Sequence, residues 1–187
     1  MSLFDTHTTK SGLPYTIREA TSADAKAAIA YMKLMVTESS MVTISDGEFA
    51  MTTEQEAAYF NDNLQSPSKL FLLAIMDGEV IGSANFGGSD RRRIKHTGEF
   101  GMSVRKPYWG EGIGRALLQE LLDWAAQTRT ISKVNLRVRE DNERAIRLYQ
   151  SFGFETEGHL REEFHCDDGY HDLLWMGLIL RQNRREL

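Results

Sequence analysis

The chain has 187 residues, enough for one domain with a core of its own, and its 41% hydrophobic and 26% charged content is that of an ordinary globular protein. A formal net charge of −5 argues against bulk nucleic-acid binding, which draws on a basic excess, and the single cysteine, Cys166, excludes an intrachain disulfide and suits a reducing cytosol. No basic-then-apolar leader opens the chain, and the longest aliphatic run, Leu70 to Met76, falls far short of the roughly 20 residues that span a bilayer, so the expectation is a soluble cytoplasmic protein with no membrane contact.

In chain order, Tyr15-Thr16-Ile17-Arg18 alternates as a short strand, and Thr21 or Ser22 then caps a helix with Ala25, Ile29, Met32 and Val36 on one face. Residues 39–51 read as a loop, and a second amphipathic helix runs from about Thr53 to Leu64, stopped by Pro67. Strands Leu70–Met76 and Glu79–Phe86 flank Asp77-Gly78, a hairpin signal because type I′ turns need positive φ. A basic segment follows, with Arg91, Arg92, Arg93 and Lys95; it reads as a solvated loop or as a rim that attracts a phosphorylated ligand.

Glu99–Val104 alternates with Phe100, Met102 and Val104 on one face, and a third helix carries Ile113, Leu117, Leu121 and Trp124 at helical spacing. Lys133–Arg139 is a strand burying Val134, Leu136 and Val138, and a helix from about Asn142 to Phe152 ends at Gly153. Phe154–His165 and Tyr170–Leu180 surround Asp168-Gly169 as a final hairpin, and the tail with Arg181, Arg184 and Arg185 reads as a solvated or loose terminus. No repeat or linker divides the chain. The order β, α, α, β, β, β, α, β, α, β, β predicts one α/β (α+β) domain: a mixed, mostly antiparallel sheet flanked by helices.

Between Val104 and the third helix lies Arg105-Lys106-Pro107-Tyr108-Trp109-Gly110-Glu111-Gly112-Ile113-Gly114-Arg115. Alternating glycines strip side chains from a strand-to-helix turn, so that its N–H groups can close on an anion at the positive end of the helix. The string is neither a P-loop nor the dinucleotide Gly-x-Gly-x-x-Gly, and taken alone it reads as a phosphate site or merely a tight corner. About thirty residues on, Asn142 and Tyr149 lie nearly two helical turns apart with Ala145 between them. That face makes a poor core stripe and a good wall for a polar ligand, although a core tyrosine with a satisfied hydroxyl fits the pattern equally.

Together these segments resemble the GNAT superfamily of N-acetyltransferases, over about Tyr15 to Leu180. The family turn, usually Gln/Arg-x-x-Gly-x-Gly/Ala, is matched by Trp109-x-x-Gly112-x-Gly114, with Trp109 the one departure. That tryptophan, and the string from Gly153 to Phe164 with Asp168 to Asp172, is similar to the branch of ribosomal-protein alanine acetyltransferases and spermidine N-acetyltransferases. The resemblance implies acetyl-CoA as co-substrate. Its pyrophosphate would lie on the N–H groups of Trp109, Gly110, Glu111, Gly112, Ile113, Gly114 and Arg115, with its pantetheine paired like a strand with Met102 and Val104 and held by Asn142. Tyr149 would be the acid that protonates the departing thiolate. A possible homodimer is implied as well.

Aminolysis of a thioester also requires a neutral amine. An alkyl ammonium with a pKa near ~10 is only about one part in 10³ neutral at pH 7, a handicap of roughly 4 kcal/mol. Glu99, at the start of the central strand, is the candidate base acting through water; an exposed strand-end carboxylate is the alternative. His165-Cys166-Asp167-Asp168 with His171 looks like a metal cluster, but neighbouring strand residues face opposite ways and Asp168-Gly169 forms the turn, so no metal is expected. Residues 32–55 and 158–172 would line the acceptor side, where Glu38, Asp46, Glu48, Glu162, Glu163, Asp167 and Asp168 suit a cationic acceptor or are ordinary surface acids. The expected activity is acetyl transfer to a primary amine of a small molecule or peptide; a non-catalytic acyl-CoA-binding module is the alternative, and acyl-chain length stays open.

Overall fold

The structure, a computed structural model, describes residues 4–45 and 47–180. The arginine tail and Asp46 lie outside them.

The chain enters through a hairpin of β1 (Phe4–Thr8) and β2 (Pro14–Glu19). Of this pair only β2 is expected from sequence; β1, with the sequence Phe-Asp-Thr-His-Thr, has no apolar alternation to mark it. A 3-10 turn (Ser22–Asp24) leads into α1 (Ala25–Glu38). There Asp24 accepts from the Thr21 N–H and hydroxyl, both at 2.8 Å, and from the fork of Arg18 at 2.6 and 2.7 Å. The buried face of α1 is Ala25, Ala28, Tyr31 and Met35. The predicted stripe is thus rotated, with Ile29, Met32 and Val36 on its flank. Tyr31 causes the shift, because its hydroxyl reaches down to the Ser103 carbonyl (2.9 Å) and hydroxyl (2.8 Å).

Next comes α2 (Thr53–Gln65), started by a reciprocal cap in which the Thr52 hydroxyl accepts from the Gln55 N–H and the Gln55 carboxamide accepts from the Thr52 N–H. The hairpin of β3 (Lys69–Met76) and β4 (Glu79–Gly88) turns through Asp77 and Gly78 at φ of 50° and 81°, the conformation that dipeptide predicts. Then follow β5 (Thr97–Val104), α3 (Ile113–Gln127), β6 (Lys133–Arg139), α4 (Glu143–Ser151), β7 (Glu155–Cys166) and β8 (Gly169–Ile179).

The strands form one sheet in the order β1-β2-β3-β4-β5-β6-β8-β7. Among the described residues only β5 and β6 pair in parallel. One core lies between the sheet and α3 with α4, built on Leu117, Leu118, Leu121, Phe86 and Met176. A second lies between the opposite face and α1 with α2, built on Phe60, Tyr31, Met35 and Leu73. Each fully buried leucine or phenylalanine contributes about 1.5–3 kcal/mol, so two solid layers hold the sheet from both sides. Among the described residues no helix is long and apolar enough to cross a membrane.

Candidate active site

The sheet opens between its two parallel strands. β5 pairs with β4 from Gly98 to Val104, and β6 pairs with β8 along its full length, Lys133 to Arg139. Toward each other, however, they pair only over Thr97–Glu99 and Lys133–Asn135. Beyond Glu99 the strands diverge, and the backbone of β5 from Phe100 to Val104 presents an unpaired edge. That seam opens a cleft of about 1270 Å³, above the roughly 300–1,000 Å³ of a usual small-ligand site and roomy enough for an extended arm and a second reactant. Met102 and Val104, predicted to pair with the pantetheine, lie on this edge and line the cleft.

The glycine turn closes one end. Gly110 and Gly112 have φ of 88° and 92°, the left-handed region that disfavours side chains, and the space a Cβ would enter is open at both. Gly112 is the N-cap of α3, so the N–H groups of Ile113, Gly114 and Arg115 have no acceptor within the helix. Gly114 is different: its φ is ordinary, and a Cβ there would make normal contacts with Met102, Leu148 and Val104 at 3.6–3.8 Å.

Two of the N–H groups assigned to the phosphate are engaged inside the turn. Trp109 N–H donates to the Lys106 carbonyl (3.2 Å) and Glu111 N–H to the Tyr108 carbonyl (3.4 Å). Glu111 also receives Lys10 N–H on its carbonyl and both the N–H and hydroxyl of Ser11 on its carboxylate, which holds that carboxyl below its ordinary pKa. Its contribution is therefore to dock the turn on the β1–β2 hairpin. The Trp109 side chain has a similar part: its indole N–H donates to the Val104 carbonyl at 2.6 Å, and the Arg144 guanidinium stacks over the ring at 4.8 Å. One tryptophan thus ties the turn to β5 and to the start of α4.

Opposite the β5 edge stands α4. Asn142 caps it, its side-chain oxygen accepting the Ala145 N–H at 3.2 Å, and among the described residues its amide NH₂ has no acceptor where it lines the cleft. Tyr149 lines the cleft, is 7% exposed and packs edge-on against Phe100 with ring centroids 5.7 Å apart. Burial pushes its pKa up to about 12, so the hydroxyl keeps its proton at neutral pH and stays a donor.

Glu99 lies where the seam begins to open, and its carboxylate accepts from the Arg137 side chain at 2.7 Å. Arg139, only 4% exposed at its side chain, is a hub. It forks onto Asp141 (3.0 and 2.6 Å), reaches the Ser40 carbonyl (3.3 Å), and touches Cys166 Sγ (3.4 Å) and His171 Nδ1 (3.2 Å). This draws the loop after α1, β6 and the last hairpin together around one guanidinium. His165 stands apart, against the Tyr170 ring at 4.6 Å, while the hairpin brings Cys166, Asp168 and His171 within 4.8 Å of one another across the turn. Both nitrogens of His171 are engaged, by Arg139 and by Asp168 at 2.8 Å, and the guanidinium at the centre opposes a metal cation.

The profile of the acetyltransferase (GNAT) family matches residues 38–154, more than half of the chain. The chain belongs to that family. The N-alpha-acetyltransferase RimI of Mycobacterium tuberculosis is 37% identical over 112 residues, 60% of this chain and 68% of that protein. The spermidine N(1)-acetyltransferase of Vibrio cholerae is 33% identical over 86 residues, 46% of this chain and 50% of that one. The chain thus spans about half the length of the first curated relatives it matches. The crystal structure of a GNAT-family acetyltransferase from Streptococcus pneumoniae superposes with a TM-score of 0.86 at 28% identity, covering 88% of this chain and 99% of that one.

Within this GNAT fold the acceptor side differs from expectation. Of the predicted acids, the described ones line no part of the cleft. Glu38 pairs with Arg105 and caps the Lys106 N–H, Glu48 accepts from Ser45 N–H, and Asp168 holds His171. The basic cluster Arg91–Arg93 and Lys95 is an exposed turn outside the cleft. In place of those acids the cleft face carries Glu56 and Asn85, with Ser83 and Ser103 hydrogen-bonded at 3.3 Å beneath Tyr31. Sequence patterning passed over these residues. Glu56 reads as one more polar position on a helix, and its burial (3% exposed) was its only distinguishing mark.

Proposed function

We propose that this GNAT protein is an N-acetyltransferase that takes the acetyl group of acetyl-CoA to a primary amine of a small molecule or peptide by direct attack, both reactants being held in the seam. The observation that carries this reading is the seam itself, with Tyr149 in the wall of a cleft that runs from the unpaired edge of β5 to the N-terminus of α3. The site residues fit the co-substrate: a glycine cradle open where side chains would project, an unpaired strand edge for the amide arm, and Lys10 and Arg115 beside the turn for phosphate charge.

Acetyl-CoA supplies the activated thioester; the chain supplies the rest. Backbone N–H groups along the open edge of β5 polarise the thioester carbonyl, a type of contact worth on the order of 10²–10³ in rate. Tyr149 gives its proton to the departing sulfur as the C–S bond breaks and the C–N bond forms. Glu99, through water, receives the proton that the attacking amine must lose, with Arg137 fixing the orientation of its carboxylate. Cys166, the chain's sole cysteine, does not line the cleft, which supports direct attack over an acetyl-cysteine route. A cytosolic location belongs to the same proposal, in keeping with an unpaired cysteine.

Thiol release from acetyl-CoA across a panel of amines tests the reading. Amine-dependent release is expected; tight CoA binding without release from any amine would make the protein a binding module instead.

A further inference from the structure

Four carboxylates of the described residues line the cleft, and three have cationic partners: Glu99 with Arg137, Asp141 with Arg139, and Glu143 with Arg147. Glu56 has none. It is 3% exposed, and among the described residues its carboxylate meets neither a cation nor a hydrogen-bond donor. Burial alone raises its pKa. Its place in the first turn of α2 gives some help from the helix dipole, but a solvent-facing position on that turn would gain the same without desolvation. A carboxylate kept inside a ligand cleft at that cost is one that a ligand completes.

The sheet register shows where that completion occurs. Phe71 of β3 pairs with Asn85 of β4, and Asn85 with Gly101 of β5, all lining the cleft. The Asn85 carboxamide stands where a Cβ on Gly101 would go, 3.0 Å from its oxygen, and makes no hydrogen bond among the described residues. Phe71 in turn carries Phe60 at 5.0 Å between ring centroids, one helical turn beyond Glu56. From the acyl-binding edge of β5 to the Glu56 side of the cleft is therefore two strand spacings, roughly 10 Å. The walls between are apolar: Met32, Met35, Phe49, Met51 and Tyr59.

We propose that Glu56 is the acceptor-specificity residue. It binds a second cationic group of the acceptor, separated by an aliphatic chain from the amine that attacks beside Gly101. The acceptor is then a small aliphatic amine with two cationic ends, its methylenes on the methionine and aromatic walls and its near end within reach of Asn85. This rests on the acetyl-transfer reading only for the identity of the attacking end.

The test is calorimetric titration of the protein–CoA complex with cadaverine and with pentylamine, which share a carbon chain and differ in the second ammonium. Wild type should bind cadaverine at least about tenfold more tightly, as a charge-assisted hydrogen bond in a buried site provides. Glu56→Gln should bring cadaverine down to the pentylamine level, leaving CoA and pentylamine affinity unchanged and the melting temperature equal or higher. Equal affinity of the two amines in wild type overturns the proposal without need of any variant, as does an equal loss for both in Glu56→Gln. A Glu56-dependent preference without thiol release from acetyl-CoA would sustain the Glu56 site and refute acetyl transfer. Thiol release without such a preference would do the reverse.

Discussion

The two ends of the cleft are built by different means. The proposed cofactor end is built of backbone: glycine φ angles, helix N–H groups and an unpaired strand edge, all drawn from one continuous stretch from Phe100 to Arg115. At the proposed acceptor end recognition would be by side chains, with Glu56 and Asn85 brought together from α2 and β4 among apolar walls. A ligand common to a family can be held by main chain that tolerates many sequences, whereas a particular acceptor needs particular side chains. The two ends should therefore fail separately under mutation, the cofactor end through affinity for CoA and the acceptor end through choice of amine.

The largest effect is expected where the ends meet. Tyr149→Phe should lower kcat by about 10²–10³, the size of a lost general acid, while acetyl-CoA affinity stays nearly constant because among the described residues no hydrogen bond uses that hydroxyl. A fall in affinity equal to the fall in rate would assign Tyr149 to binding. Next comes the turn. Gly112→Val strains the left-handed conformation by about 1–2 kcal/mol; the unbound turn escapes that strain by rearranging and must recover it to hold the ligand, so calorimetry should show acetyl-CoA binding roughly tenfold weaker. Gly114→Ala should bind normally, since its φ is ordinary and its new methyl would meet neighbours at van der Waals distance.

A smaller effect is expected at Trp109. Trp109→Phe keeps the face that Arg144 covers but loses the hydrogen bond to Val104, about 1 kcal/mol net, and should weaken acetyl-CoA severalfold with the preference among amines unchanged. An altered amine preference would show that the two ends are not separable. The smallest effect concerns the anchoring of α1. Asp24 is held at about 2, below its ordinary 3.8, chiefly by the Arg18 fork. The folded state thus favours the ionised form, so this stabilisation is complete above pH ~4 and is lost as pH falls through ~2. Melting curves from pH 5 to 2 should fall less steeply for Asp24→Asn than for wild type; parallel curves would remove Asp24 from the account.

This contrast also explains what could be read from sequence. The glycine turn, the Asp77-Gly78 hairpin and the alternation of β5 and β6 are local signals with local causes, and each lies where residue spacing places it. The β1 strand escaped because its pairing with β2, not its own residues, makes it a strand. The buried face of α1 departs from the predicted stripe because Tyr31, a residue with a polar tip, is drawn inward by a serine 72 positions away. Glu56 was invisible for the same reason: what distinguishes it is the absence of a partner in three dimensions. Acidic composition of the acceptor segments pointed to Glu38, Glu48 and Asp168, whose carboxylates are engaged elsewhere.

The central claim is direct passage of acetyl from acetyl-CoA to an amine in the seam. It is tested most directly by mixing the protein with acetyl-CoA at equal concentration, adding the amine panel, quenching on a millisecond scale and weighing protein and amine by mass spectrometry. The account predicts acetylated amine appearing together with free CoA, with the protein never acetylated. An acetylated protein that forms before the product, or CoA released at the same rate with no amine present, would contradict it.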